Sequence, residues 1–280
     1  MEKAINRYFP IFVLPTMIAF TLGFIIPFAE GVYLSFCKFT TVNDAKFIGL
    51  SNYAKVFKDS TFVHAFWYTA AFTVVSVILI NVLAFAVALL LTKGIKGTNV
   101  FRTVFFMPNL IGGIVLGYIW QLLLNGILMK FSRTLTYSST FGFWGLVILM
   151  CWQQIGYMMI IYIAGIQNIP GELIEAAEID GATKRQVLKS VTIPMVMPSI
   201  TVCTFLTLTN SFKLFDQNLA LTNGEPSKMS EMLALNIFTT FYGRAGYEGV
   251  GQAKAVIFFI LVAAIALTQN YLTRRKDVQQ

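Results

Sequence analysis

The chain has 280 residues, 56% of them hydrophobic and 15% aromatic, with only 12% charged and a formal net charge of +8. Soluble domains carry roughly a quarter charged residues, so this composition excludes a disordered protein, a coiled coil and nearly every soluble enzyme. The positive charge does not point to nucleic acid, because the basic residues fall in short segments between apolar runs, where they act as topology signals.

A bilayer core about 30 Å thick needs ~20 mostly apolar helical residues. Six segments meet this requirement: 10–36, 66–92, 101–124, 143–167, 193–221 and 253–272. The expected fold is all-α: a polytopic membrane protein with one transmembrane domain over 1–280. The first segment is longer than the apolar stretch of a signal peptide and lacks a small-x-small cleavage site, so it reads as an anchor. Pro27, Pro108 and Pro198 lie in or near spans, where neighbouring helices can satisfy the carbonyls that proline frees.

Lysine and arginine set the orientation. Segments 1–9, 93–102, 168–192 and 273–280 hold 11 of the 21 basic residues, whereas the longer intervening loops hold 8. The richer set is placed in the cytoplasm, together with both termini. His64 then falls at the outer interface as a surface or interfacial side chain. Cys37, Cys151 and Cys203 have no disulfide or zinc spacing and read as small buried hydrophobes.

The fourth span carries Gln153, Gln154 and Tyr157 beside Trp152, with Gln153 and Tyr157 stacked at i, i+4. Residues 168–192 follow. Pro170 is placed to start a helix. Glu172, Glu175 and Glu178 sit in its first turns, where the helix dipole favours acid. Leu173, Ile174, Ala176 and Ala177 form an apolar, small-residue side. Gly181 ends the helix as a residue able to take positive φ. Thr183 to Gln186 is a capping box that starts a second helix, with Lys184, Arg185 and Lys189 facing solvent or the membrane surface. Small alanines allow close approach by another protein, and Glu175 offers a charge to an Arg or Lys partner. On the fifth span, Thr207, Asn210 and Ser211 share one face at i, i+3, i+4. The two polar clusters are either solute contacts or interhelical hydrogen-bond glue. Asn81, Asn109 and Gln121 are isolated and read as packing polars.

Glu175-Ala176-Ala177, then Asp180-Gly181-Ala182, then Thr192-Ile193-Pro194 resembles the cytoplasmic motif of binding-protein-dependent ABC importer permeases. The likeness is nearest to the carbohydrate branch, the maltose-transporter-type larger permease. Phe47 to Tyr53, Phe101-Arg102 with Pro108, and Phe215-Asp216-Gln217 followed by Leu221 to Pro226 are similar to family stretches in order and spacing. Glu225 departs from the pattern, since many relatives have Gly there.

The resemblance implies that 168–192 is a cytoplasmic coupling loop between spans 4 and 5, lodged in a cleft of a separate ATPase. Glu175 would be its polar contact, Ala176 and Ala177 its close-packing face, and Asp180, Gly181 and Ala182 its turn. It also implies a second homologous permease, two ATPase subunits that bind ATP and Mg, and an external sugar-binding protein received by the outer loops 37–61 and 222–251. The setting would be a bacterial or archaeal plasma membrane. In that family the substrate contacts lie on the two helices that carry Gln153, Gln154, Tyr157, Thr207, Asn210 and Ser211. The implied function is half of a carbohydrate pathway, for an oligosaccharide or glycoside.

The chain has no G-x-x-x-x-G-K-[ST] P-loop, no H-E-x-x-H metal site and no G-x-S-x-G elbow, so no catalysis, resident cofactor or metal is expected. A stand-alone secondary carrier or channel is the alternative; it predicts inverted repeats, and no convincing repeat is visible.

Overall fold

The structure, a computed structural model, describes residues 2–277, with side chains for 9, 11–269 and 271. The side chains of Lys3, Arg7, Arg274, Arg275 and Lys276, which contribute to the orientation count, lie outside those described. Among the described residues five helices are long and apolar enough to cross a membrane, and the bent pair Lys184–Met195 and Met197–Phe212 makes a sixth when counted as one span. The chain is a polytopic all-α membrane protein. Its contacts gather in two compact units.

The first unit comprises residues 1–60 and 237–260. Helix α1 (Glu2–Phe20) passes through a π turn into α2 (Ile26–Leu34). Pro27 sits in the first turn of α2, where its missing N–H is absorbed as a widened turn rather than a break. A two-residue hairpin, β1 (Cys37–Lys38) with β2 (Lys46–Phe47), precedes α3 (Ser51–Lys58). Between the strands, the Thr40 and Thr41 amides donate to Asp44 Oδ1 and hold its carboxyl below the usual aspartate range. The buried Asn52 amide donates to the Ser35 and Cys37 carbonyls at 2.9 and 2.8 Å, fixing α3 under the hairpin.

The end of α13 (Leu233–Gly243) and the start of α14 (Glu248–Asp277) complete this unit. Lys254, fully buried on α14, donates to Asp59 Oδ2 and to Thr240 Oγ1, each at 2.8 Å. Removing one partner of such a pair leaves a desolvated charge behind, whereas removing both leaves none. Asp59→Ala is therefore expected to destabilise the protein by about 3–5 kcal/mol. The Asp59→Ala/Lys254→Met double variant should recover most of that loss. Unfolding midpoints in detergent measure both.

The second unit comprises residues 61–236 and 261–280. It holds α4 (Ser60–Leu91) from Thr61 onward, α5 (Thr98–Phe106), α6 (Gly113–Leu128) and α7 (Ser139–Gln167). The short α8 (Gly171–Ile179), α9 (Lys184–Val187) and α10 (Ile193–Met195) follow, then α11 (Met197–Phe212) and α12 (Asp216–Leu221). Helix α7 is its centre: Leu146, Leu149, Met150, Met158, Met159 and Tyr162 are all buried, with Phe72 and Ile80 of α4 in the same core. Gly156 makes that packing possible. A side chain there would run into the Phe105 carbonyl, so α5 lies directly on the α7 backbone.

Two expected spans are not continuous. Segment 101–124 is interrupted by a 3-10 turn at Met107–Leu110 and extended backbone at Ile111 and Gly112; α6 then runs on to Leu128. Pro108 lacks the N–H that would continue α5, and here the chain breaks rather than bends. Segment 193–221 is cut twice. Helix α11 starts after a 68° bend near Val196, between Pro194 and Pro198, and it ends at Phe212 before α12 begins at Asp216.

Segment 222–251 is ordered by helix and hydrogen bonds. It contains α13, and in this unit Asn218 pins it by donating to the Ser230 carbonyl and accepting from Met232 N. His64 is tied to the same segment, with Nε2 2.9 Å from the Met229 carbonyl oxygen.

Candidate functional site

Two arrangements in the second unit are candidates for the functional site. The first is the α8–α9 turn. Pro170 takes the N-cap position with extended backbone, and Glu172 lies in the first turn of α8. The helix ends in a paired cap: Ala182 N donates to the Ala177 carbonyl at 2.9 Å and Gly181 N to that of Glu178 at 3.0 Å. This Schellman geometry needs a left-handed residue at its centre, and Gly181 supplies it at φ +80°. The capping box then forms as expected. Thr183 N donates to Gln186 Oε1 at 2.8 Å, and Gln186 N donates to the Thr183 hydroxyl at 3.4 Å.

The turn is thus held from both ends, and α8 presents a set of unpaired apolar groups. Ile179 is 86% exposed and Leu173 44%, beside exposed Ala176, Glu175 and Asp180. The single apolar side expected for α8 is split. Ile174 packs on the core and Ala177 is half-buried, while Leu173 and Ala176 face out. Ala182 is half-buried behind the turn. Ile179 was missed by sequence reasoning, although it stands three residues beyond Ala176 and so extends the same stripe.

The second arrangement is a polar recess of about 420 Å³. It is lined at the two helix breaks by Asn109, Lys213, Phe215, Asp216 and Gln217, and on the flanking helices by Gln153, Gln154 and Asn210. Unwound backbone within a span is tolerated where it lines a cavity, and the breaks at 107–112 and 213–215 both contribute residues to this one. Gln217 Nε2 donates to Gln153 Oε1 at 2.8 Å, and Gln153 Nε2 in turn reaches the Ile111 carbonyl at 3.4 Å. The buried Gln154 Oε1 has no hydrogen-bond partner among the described residues. Side-chain amides with unmet capacity, a cation and an acid beside one aromatic ring are suited to binding a neutral, hydroxyl-rich solute.

The recess brings together Gln153, Gln154 and Asn210, but not the other three expected contacts. Tyr157 is half-buried and turned toward Phe106, with ring centroids 6.4 Å apart. Ser211 is fully buried and does not line the recess. Thr207 belongs to an interhelical network: Tyr162 OH donates to Asn81 Oδ1 at 2.6 Å, Asn81 Nδ2 to Thr207 Oγ1 at 2.9 Å, and Thr207 to the Cys203 carbonyl at 2.8 Å. Asn81 is therefore not isolated. Asn109, Lys213 and Gln217 were not expected at a site; the i, i+4 spacing of Lys213 and Gln217 within segment 193–221 was the available signal.

Because the Thr207 hydroxyl is used in packing, Thr207→Val is expected to cost about 1–2 kcal/mol of stability. Solute affinity should stay unchanged. Unfolding and uptake assays separate the two effects.

The model of the family described as "Binding-protein-dependent transport system inner membrane component" matches residues 81–278. The chain is 43% identical to the probable starch degradation products transport system permease protein AmyD of Thermoanaerobacterium thermosulfurigenes, over 96% of this chain and 94% of the other. It is 28% identical to the multiple sugar-binding transport system permease protein MsmF of Streptococcus mutans, over 99% of each. Its fold is similar to that of a chain in the solved structure of a bacterial ABC transporter involved in the import of the acidic polysaccharide alginate. The TM-score is 0.82 with 21% identity, over 98% of both chains.

Proposed function

The chain belongs to the family of binding-protein-dependent transport system inner membrane components, and from that premise we propose that it forms half of the carbohydrate pathway of an ATP-driven ABC importer. The observation that carries this reading is the α8–α9 turn, capped at both ends and presenting Ile179 and Leu173 with no cover in the chain itself. An ATPase cleft is the partner that such a rigid apolar tip fits. Glu175 would supply its polar contact, Ala176 and Ala177 the close approach, and the Asp180-Gly181-Ala182 turn its shape.

ATP and Mg belong to two ATPase subunits, a second homologous permease lines the other half of the path, and an external binding protein delivers the solute. The membrane is a bacterial or archaeal plasma membrane with both termini in the cytoplasm. The solute is an oligosaccharide or glycoside, in keeping with the relatives' names. The amide-rich recess at Gln153, Gln154 and Asn210 is its contact site.

Transmission follows from the connections. Helix α8 is joined to α7 through 168–170 and to α11 through α9 and α10. Helices α7 and α11 meet at Gly165 against Ser199 and at Cys203 under the Met158 carbonyl. A displacement of α8 by closing ATPase subunits therefore moves both helices that flank the recess. The test is Gly181→Val, a β-branched residue forced to φ +80°, in the reconstituted transporter. The chain is expected to fold while sugar-stimulated ATP hydrolysis is lost. Normal stimulation in this variant would overturn the coupling role.

A further inference from the structure

The ends of α4 and α7 and the α8–α9 turn enclose a recess of about 640 Å³ in the second unit. Its floor is apolar, built by Leu89, Ile169, Ile174 and Leu188. Its rim carries three exposed cations, Lys93, Lys184 and Arg185, against one acid, Glu178. Among the described residues none of the three cations is ion-paired. Lys93 comes two residues after the 32-residue apolar α4, so the rim lies at the level where bilayer headgroups begin. An apolar floor with a cationic rim at this depth matches an anionic headgroup joined to an acyl chain, and basic pockets between spans bind such lipids.

We propose that this recess binds one anionic phospholipid. Its phosphate lies among Lys93, Lys184 and Arg185, and the first part of one acyl chain covers Leu89, Ile169 and Ile174. Ile174 belongs to α8 and Arg185 to α9, so an occupied recess braces the turn against the ends of two spans. The binding rests on the geometry alone; only its effect on transport rests on the coupling role argued above.

A free phosphate ion shares the headgroup chemistry but makes no use of the floor. The test uses the full chain, in whatever complex it purifies with, delipidated in detergent and titrated separately with phosphatidylglycerol, phosphatidylcholine and inorganic phosphate. Native mass spectrometry reads occupancy on this chain, so the result does not depend on recovery of an ATPase. The expected result is retention of phosphatidylglycerol but not of phosphatidylcholine. In the Lys93→Gln/Lys184→Gln/Arg185→Gln variant, whose substitutions are all at exposed positions, retention should weaken on the order of 100-fold. Lys55→Gln/Lys58→Gln/Lys130→Gln should retain the lipid as the unmodified chain does. Equal weakening in that control, phosphatidylcholine retained as well as phosphatidylglycerol, or inorganic phosphate bound as tightly as the lipid would each overturn the proposal.

Discussion

Replacing Ile179 by aspartate is expected to leave this protein folded and to abolish its association with an ATPase. The side chain is 86% exposed, so the substitution disturbs almost no packing within the chain. Exposed changes of this kind shift stability by about 0.5 kcal/mol at most. In a partner's cleft the same position behaves differently. Burying an isoleucine contributes about 1.5–3 kcal/mol, and a carboxylate in its place would be desolvated without a counter-charge. Co-purification of an ATPase should therefore fall on the order of 100-fold or more, while the unfolding midpoint stays in place. Undiminished recovery of the ATPase would show that the tip of α8 is not the docking surface.

The second large effect is expected in the recess. Asn210→Ala removes one hydrogen-bonding side chain from its wall, and a single such contact to a neutral solute is worth about 0.5–1.5 kcal/mol, up to roughly tenfold in apparent affinity. Gln153→Ala should do more. It removes a solute contact, takes away the acceptor of Gln217 Nε2, and leaves that amide without its 2.8 Å partner. Asn210→Ala should assemble with normal stability, whereas Gln153→Ala gives up buried hydrogen bonds as Thr207→Val does, so its uptake is compared per assembled transporter. The measurement is the concentration dependence of sugar uptake in cells or vesicles. If both variants transport normally, the contact site lies elsewhere on the path.

What could be read from the sequence was the local chemistry. The Gly181 turn and the Thr183–Gln186 box each depend on residues within six positions of one another, so composition and spacing specify them. The apolar spans were legible for the same reason, through length alone. The break at Lys213–Phe215 was not, because no proline or glycine marks it; it arises where α12 packs on α6, and Ala220 sits against Gly117. The break after Pro108 had a marker, but a proline inside an apolar run signals a kink as readily as an interruption. Long-range pairing was hidden as well. Asn81 and Thr207 are 126 residues apart, and nothing near either one announces the other. Lys254 likewise sits in an apolar segment without a local partner, and its carboxylate lies 195 residues earlier. The recess is non-local in the same way: Gln153 and Gln217, which hydrogen-bond at its wall, are 64 residues apart, so spacing within one span gathered only Gln153, Gln154 and Asn210 of its lining.

Docking of the α8 tip into an ATP-hydrolysing subunit can be captured by cross-linking from that tip. Cys37, Cys151 and Cys203 are all buried, so Ile179→Cys introduces one exposed thiol into an otherwise protected chain. A short bifunctional reagent applied to native membranes is expected to join residue 179 to a separate ATPase, with a yield that changes when ATP is bound. Cross-links only to another copy of this chain, or to a protein on the opposite face of the membrane, would contradict it.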